Sequence, residues 1–245
     1  MKTNKKTFSA NSVVKSTLLL SMGGLIAKFL GAFFRIPISN IIGAEGMGVY
    51  QLIFPLYAFF LVFISGGIPL ALAKLVSRSL AEGKENKIKG YFFAALVFSL
   101  ISGLVFALIF VFFAKQISAF QGIGEGFASY YAVGLALIFS CLISVFRGLF
   151  QGHNNMLPTF VSQIIQQGVK LGLGILFAVL FISKGLNVAV FFIFISIAIS
   201  ELLALVYYIV LTLIKQKQKA INTISVKHKQ TQRLSQIHTK LCGLF

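Results

Sequence analysis

The sequence predicts an all-α, polytopic membrane protein with six transmembrane helices. First, 58% of the 245 residues are hydrophobic and only 11% are charged, and the mean hydropathy is +0.92. Soluble domains are close to half apolar and about a quarter charged. Second, the apolar residues fall into blocks of roughly 18 or more, the length that crosses a bilayer. So little polar surface would not cover a soluble globule of this size.

Six such apolar blocks divide the chain. The predicted spans are residues 16–34, 49–73, 91–114, 127–146, 160–182 and 186–214. They define a transmembrane lobe at 16–214, preceded by a cytoplasmic N-terminus at 1–15 and followed by a basic cytoplasmic tail at 215–245.

The distribution of positive charge predicts the orientation. Of the 22 lysines and arginines, sixteen lie in the N-terminus, the second loop and the tail, whereas Lys115 and Lys184 stand alone in the loops on the other side. Cytoplasmic loops of membrane proteins carry an excess of Lys and Arg. Both termini are therefore expected in the cytoplasm, and the net charge of +17 is interpreted as an orientation signal that also meets anionic membrane lipids. No nucleic-acid partner is expected.

Four cations lie within or at the ends of spans, where a charge is costly and marks function by default. They are Lys28, Arg35, Arg147 and Lys170. Lys28 is roughly 18 Å along the first span, near the bilayer centre, and we predict that it faces a polar groove rather than lipid. The first helix repeats small or charged residues on one face: Ser21, Gly24, Lys28, Gly31 and Arg35.

Structural roles are the alternative for these polar residues. A cation at a helix end often extends its charge to the interface, which would explain Arg35 and Arg147. On the fifth span Gln163, Gln166 and Gln167 share a face with Lys170, and such stripes often join helices. Under the same alternative, Glu201, the one acid in the predicted spans, is a plain neutralising partner of Arg147.

The sequence contains no pattern typical of a catalytic or metal-binding site. The chain has no aspartate, five glutamates, three histidines and two cysteines. It contains no nucleophile-elbow, HExxH or phosphate-loop pattern, and no CxxC or Cys/His cluster. We expect no enzyme activity, no catalytic residue, no metal and no cofactor. Surplus cations in a cavity suit a transported anion such as a phosphate.

Two stretches carry a family resemblance. AKFLGAFFRIPISNIIGAEGMGVYQ from Ala27, followed by SGGIPLALAKLVS, and RGLFQGHNNMLPTFVSQIIQQGVK from Arg147 closely resemble the stage V sporulation protein B and lipid II flippase branch of the multidrug/oligosaccharidyl-lipid/polysaccharide exporter superfamily. The resemblance runs from about residue 11 to 215. It implies one lobe of a MATE-like transporter that flips undecaprenyl-pyrophosphate-linked sugars, the anionic partner expected here.

The same resemblance implies roles for single residues. It implies that Lys28 and Arg35 are first-helix cations that line a central cavity. The predicted substrate-binding residues are Lys28, Arg35, Arg147 and Lys170. Gln166 stands where the family commonly has Glu, and Lys170 where it commonly has Arg. These departures put the usual use of the fifth-helix pair in question.

The resemblance also predicts a missing half. It implies two six-helix lobes with the cavity between them, while this chain supplies one lobe and a tail similar to the interlobe linker, so a truncation or frameshift is expected. The leading function is a flippase or exporter of the bacterial cell membrane. A cation-coupled multidrug antiporter of the same superfamily is one alternative. The other is a non-transporting fragment or partner subunit, completed by a second lobe or by a homodimer.

Overall fold

The computed structural model describes the backbone of residues 10–242, and every regular element in that range is helical. The predicted N-terminus at 1–15 lies partly outside the described residues. The helices are α1 (Ala10–Ala81), α2 (Asn86–Phe120), α3 (Ala128–Gly152), α4 (Leu157–Phe181) and α5 (Leu186–Cys242). Two single 3₁₀ turns, Gly124–Phe127 and Ile182–Lys184, precede α3 and α5.

The number of helices differs from the sequence prediction. Five helices among the described residues are long and apolar enough to cross a membrane, where six spans were predicted. The reason is that the first two predicted spans belong to one element, α1. Only Gly43, with φ 69° and ψ −175°, leaves the helical conformation between them, so a single residue replaces the expected loop.

The chain nevertheless turns back at Gly43. The rings of Phe34 and Tyr50 are 6.4 Å apart, and the Arg35 guanidinium lies 5.6 Å from the ring centroid of Phe54. Residues sixteen apart on a straight helix are separated by about 24 Å. The first arm (10–42) and the second arm (44–81) of α1 therefore pack side by side, and each has the length of one span.

Helix α3 lies at the centre of the packing. Two thirds of its apolar window is buried, against less than a quarter for α2. Its glycines allow close approach to the second arm: a Cβ on Gly148 would lie 2.9 Å from the carbonyl oxygen of Pro69, and one on Gly152 would lie 2.6 Å from Cβ of Val76. Small residues four apart are a usual contact between membrane helices. The exposed face of α2 is apolar, as lipid contact requires.

The chain divides into two compact units. The first ends at Leu205 and contains α1 to α4 and the start of α5; the second is Val206–Phe245, described as a continuation of helix to Cys242. The predicted boundary between lobe and tail, at 214/215, lies within the second unit.

We predict that Gly43 is required for the turn in α1. Its φ and ψ values lie in a region essentially restricted to glycine, where other residues cost about 1–3 kcal/mol. Gly43→Ala should therefore lower the apparent unfolding temperature of the purified protein in detergent. Gly48→Ala is the matched control, because Gly48 is helical and has open space around it. An equal effect of both substitutions would contradict the assignment.

Candidate functional site

A polar cavity lies among the helices of the first unit. It has a volume of about 240 Å³ and is walled by both arms of α1 and by α3, α4 and α5. Its charged lining residues are Arg147 from α3, Lys170 from α4 and Glu201 from α5. Two cations therefore face one carboxylate. The uncharged polar residues of the lining are Tyr57, Ser140, Ser144, Gln163, Gln166, Gln167 and Ser200.

A hydrogen-bonded chain crosses this cavity. Arg147 Nη2 donates to Oε1 of Gln166 at 2.8 Å, and Nε2 of Gln166 donates to Oε2 of Glu201 at 2.6 Å. The Tyr57 hydroxyl donates to the other carboxylate oxygen at 3.3 Å. The amide of Gln166 thus lies between the guanidinium of Arg147 and the carboxylate of Glu201 and is hydrogen-bonded to both. The chain ties α3, α4, α5 and the second arm of α1 together.

Helical periodicity on α4 places these side chains. Gln163, Gln166, Gln167 and Lys170 recur at three- and four-residue steps, so they share one face, and that face is turned inward. Glycines of the first arm lie against it. A Cβ on Gly23 would be 2.7 Å from Oε1 of Gln163, and one on Gly31 would be 4.0 Å from Nζ of Lys170.

The cavity retains unused hydrogen-bonding capacity. Within the part of the chain that the structure describes, Nε of Arg147 and the Oε1 atoms of Gln163 and Gln167 are buried without a hydrogen-bond partner. Buried polar atoms are satisfied in the great majority of cases. An unused guanidinium donor and two unused amide oxygens among the lining residues of one cavity are expected where a polar ligand completes the hydrogen bonding.

Lys170 forms no ion pair with an acid among the described residues. Its ammonium lies 5.4 Å from the ring centroid of Phe34, within the range of a cation–π interaction. Glu201 is the one acid that lines the same cavity. Its charge is therefore incompletely compensated inside the cavity.

The structure brings together two of the four predicted cations. Arg147 and Lys170 line the cavity, while Arg35 is exposed beside Phe54, outside the lining. Lys28 is exposed outside the cavity, and Ala27 supplies the contact of the first arm instead. The substrate-binding roles of all four residues remain predictions.

Sequence reasoning missed two features of this site. Tyr57 sits in an uncharged apolar span, so nothing marked it as a partner for a carboxylate. The pairing of Glu201 with Arg147 was anticipated, but the bridging place of Gln166 was not. The stripe of Gln163, Gln166 and Gln167 indicates that this face contacts another helix, but the sequence does not show which helix.

Comparison with known proteins gives one family. Residues 13–235 match the family described as polysaccharide biosynthesis protein. The chain is 30% identical over 208 residues to stage V sporulation protein B of Bacillus subtilis (strain 168), covering 84% of this chain and 39% of that protein. It is 29% identical over 171 residues to lipid II flippase MurJ of the same organism, covering 66% of this chain and 31% of the relative.

The chain matches only part of each relative. The chain spans between about a third and two fifths of the length of these two relatives, and no solved structure matches it. The family match covers most of the residues, and the apolar helices agree with it. The chain is therefore a multi-pass membrane protein that belongs to the polysaccharide biosynthesis protein family.

Proposed function

We propose that this chain is part of a membrane flippase or exporter of undecaprenyl-pyrophosphate-linked oligosaccharides, precursors of peptidoglycan or of another polysaccharide. The observation that carries the proposal is the cavity, in which Arg147 and Lys170 face the single acid Glu201. An excess positive charge inside an apolar helical lobe is costly unless an anion is bound there for part of the cycle.

The side chains fit the two parts of such a substrate. A guanidinium binds phosphate oxygens with charge-assisted hydrogen bonds, and Arg147 has an unused buried Nε–H. The amides of Gln163 and Gln167 suit the hydroxyl groups of a sugar, because an amide both donates and accepts. We assign the pyrophosphate to the Arg147 and Lys170 side of the cavity.

The proposed activity belongs to a larger assembly. Alternating access in transporters requires two bodies that move relative to each other, and this lobe supplies one body. The second body would be a second lobe or another copy of the chain. The charge asymmetry of the loops supports cytoplasmic termini in a bacterial cell membrane.

A cation-coupled antiporter is the second candidate, and the buried carboxylate of Glu201 favours it. Such a transporter needs an acid inside the membrane to bind the coupling ion. Here both carboxylate oxygens already accept hydrogen bonds, from Tyr57 and Gln166, and Arg147 and Lys170 line the same cavity. These two cations disfavour the binding of a further cation, so the flippase remains the leading proposal.

The two cavity cations are predicted to bind the pyrophosphate directly. Arg147→Gln and Lys170→Gln should each weaken binding of undecaprenyl pyrophosphate to the purified chain in detergent by about ten- to hundredfold, because a hydrogen bond to a charged group contributes about 1.5–3 kcal/mol. Microscale thermophoresis would measure it. Lys115→Gln is the control, since Lys115 is an exposed cation beside Phe127, outside the cavity. Equal affinities for all three variants would refute the assignment.

Glu201 is predicted to act as an internal counterion that competes with the substrate anion. Glu201→Gln keeps an acceptor for Tyr57 while removing the negative charge. Binding of undecaprenyl pyrophosphate should tighten by about fivefold, the effect of about 1 kcal/mol, a conservative figure for a nearby charge at an effective dielectric constant of ~20. Weaker binding, or loss of cation-dependent drug exchange in a two-lobe homologue, would favour the antiporter.

We also predict that the 245-residue chain alone does not translocate lipid. Alternating access needs two bodies, of which this lobe is one, and a homodimer would bring like charges together with few acids to offset them. Liposomes containing the purified chain should show no flipping of a fluorescent undecaprenyl-pyrophosphate-linked sugar above the protein-free rate. Robust flipping would reveal an active homodimer and remove the need for a second lobe.

A further inference from the structure

A second, apolar groove lies on another flank of the lobe, between the second arm of α1 and α2. Its volume is about 520 Å³, and no residue of α2 lines the polar cavity described above. Small residues open it: Gly67 and Ala71 on one wall and Ala94 on the other. Buried Ile64 and Leu72 form part of the lining.

The groove has the dimensions of a lipid chain. On α2 it extends from Tyr91 to Phe106, a rise of about 22 Å along the helix. The hydrocarbon core of a bilayer is about 30 Å thick, so the groove passes from one surface beyond the midplane. Apart from Tyr91 and Ser102, every side chain that lines it is apolar, or the residue is glycine.

The end of the groove near Tyr91 is strongly basic. Residues 74–89, the turn between the two helices and its flanks, hold five cations and two glutamates. Lys74 is three positions after Ala71 and Lys87 is four positions before Tyr91, so each continues a wall of the groove on the same helix face. Both are exposed.

The acids of this turn do not cancel that charge. Hydrogen bonds from Lys84 and Arg78, each 2.8 Å long, lower the pKa of Glu82 to about 2. Glu82 is thus ionised at neutral pH and already engaged with two other cations. With Glu85 counted as well, the segment keeps a net charge of +3 by composition.

We propose that this groove binds an anionic phospholipid, with an acyl chain between the second arm of α1 and α2 and the phosphate at Lys74 and Lys87. An apolar channel that ends at surplus cations is complementary to such an amphiphile, and anionic lipid heads attract cations at the membrane surface. A second copy of the chain is a poorer occupant. It has five acids in 245 residues and would bring few charges to neutralise the basic turn.

The absence of tryptophan from the sequence permits a direct test. Phe98→Trp places a single fluorophore in the groove, and Phe93→Trp places one outside it; the phenylalanines they replace are 62% and 67% exposed. The full chain is reconstituted in vesicles of phosphatidylcholine with increasing fractions of chain-brominated phosphatidylglycerol or brominated phosphatidylcholine. Quenching at position 98 should reach half its maximum at a lower fraction of the anionic lipid, and quenching at position 93 should not discriminate.

Two matched pairs of variants, made in the Phe98→Trp background, distinguish binding of the lipid head group from binding of its acyl chain. Lys87→Gln should raise the half-quenching fraction of brominated phosphatidylglycerol by about fivefold, the effect of about one surface cation. Lys89→Gln, about 200° around the helix from Tyr91, should not. Gly67→Leu should reduce quenching by filling the groove, whereas Gly66→Leu should not, since both glycines have open space but only Gly67 lines the groove.

Three outcomes would overturn the proposal. Equal quenching by the two brominated lipids would show that the basic turn selects no head group. Indifference to Gly67→Leu would show that the chain lies elsewhere. Little quenching of the fluorophore at position 98 by either lipid, together with intermolecular crosslinking at this face, would show that protein occupies the groove.

Discussion

The cost of placing charge inside an apolar helical lobe constrains this molecule more than any other interaction. An ion removed from water costs several kcal/mol after relaxation, and a partner compensates only when geometry is good. Arg147 and Glu201 meet this condition through Gln166. Its amide oxygen accepts a hydrogen bond from Arg147, and its amide nitrogen donates one to Glu201. Because the participants lie on different helices, the bonding fixes α3, α4 and α5 relative to one another and to Tyr57.

Glycine contacts make that bonding geometrically possible. Arg147 is followed by Gly148. The backbone of Gly148 packs so closely against the backbone of Pro69 that a side chain with a Cβ atom would not fit there. Close approach of α3 to the second arm of α1 places Tyr57 within reach of the same cavity that Arg147 enters. On the other side, Gly23 and Gly31 let the first arm lie against the amides and ammonium of α4. Small residues therefore set the distances at which the polar groups meet.

The helices and half of the site could be predicted from the sequence for physical reasons. Hydropathy and length define the apolar segments without tertiary information, and a cation in such a segment is conspicuous, which is how Arg147 and Lys170 were found. A loop between the first two spans was predicted, but its reduction to Gly43 was not, since the sequence does not reveal which of Gly43, Gly46 and Gly48 has a non-helical φ and ψ. Periodicity placed Lys28 on a face with Ser21 and Arg35, but it cannot say which neighbour that face meets, and the structure leaves Lys28 exposed.

The identity of residue 166 determines the net charge of the residues that line the cavity. With a glutamine there, Arg147 and Lys170 outnumber Glu201, and the lining carries a net positive charge. A glutamate at the same place would neutralise that excess and offer Arg147 an ion pair. Gln166 instead uses its carbonyl oxygen on Arg147 and its amide nitrogen on Glu201, which leaves Nε of the guanidinium unused. The surplus charge therefore lies with Arg147 and Lys170, and under the proposed function it would attract an incoming anion without first displacing an ion-paired glutamate at position 166.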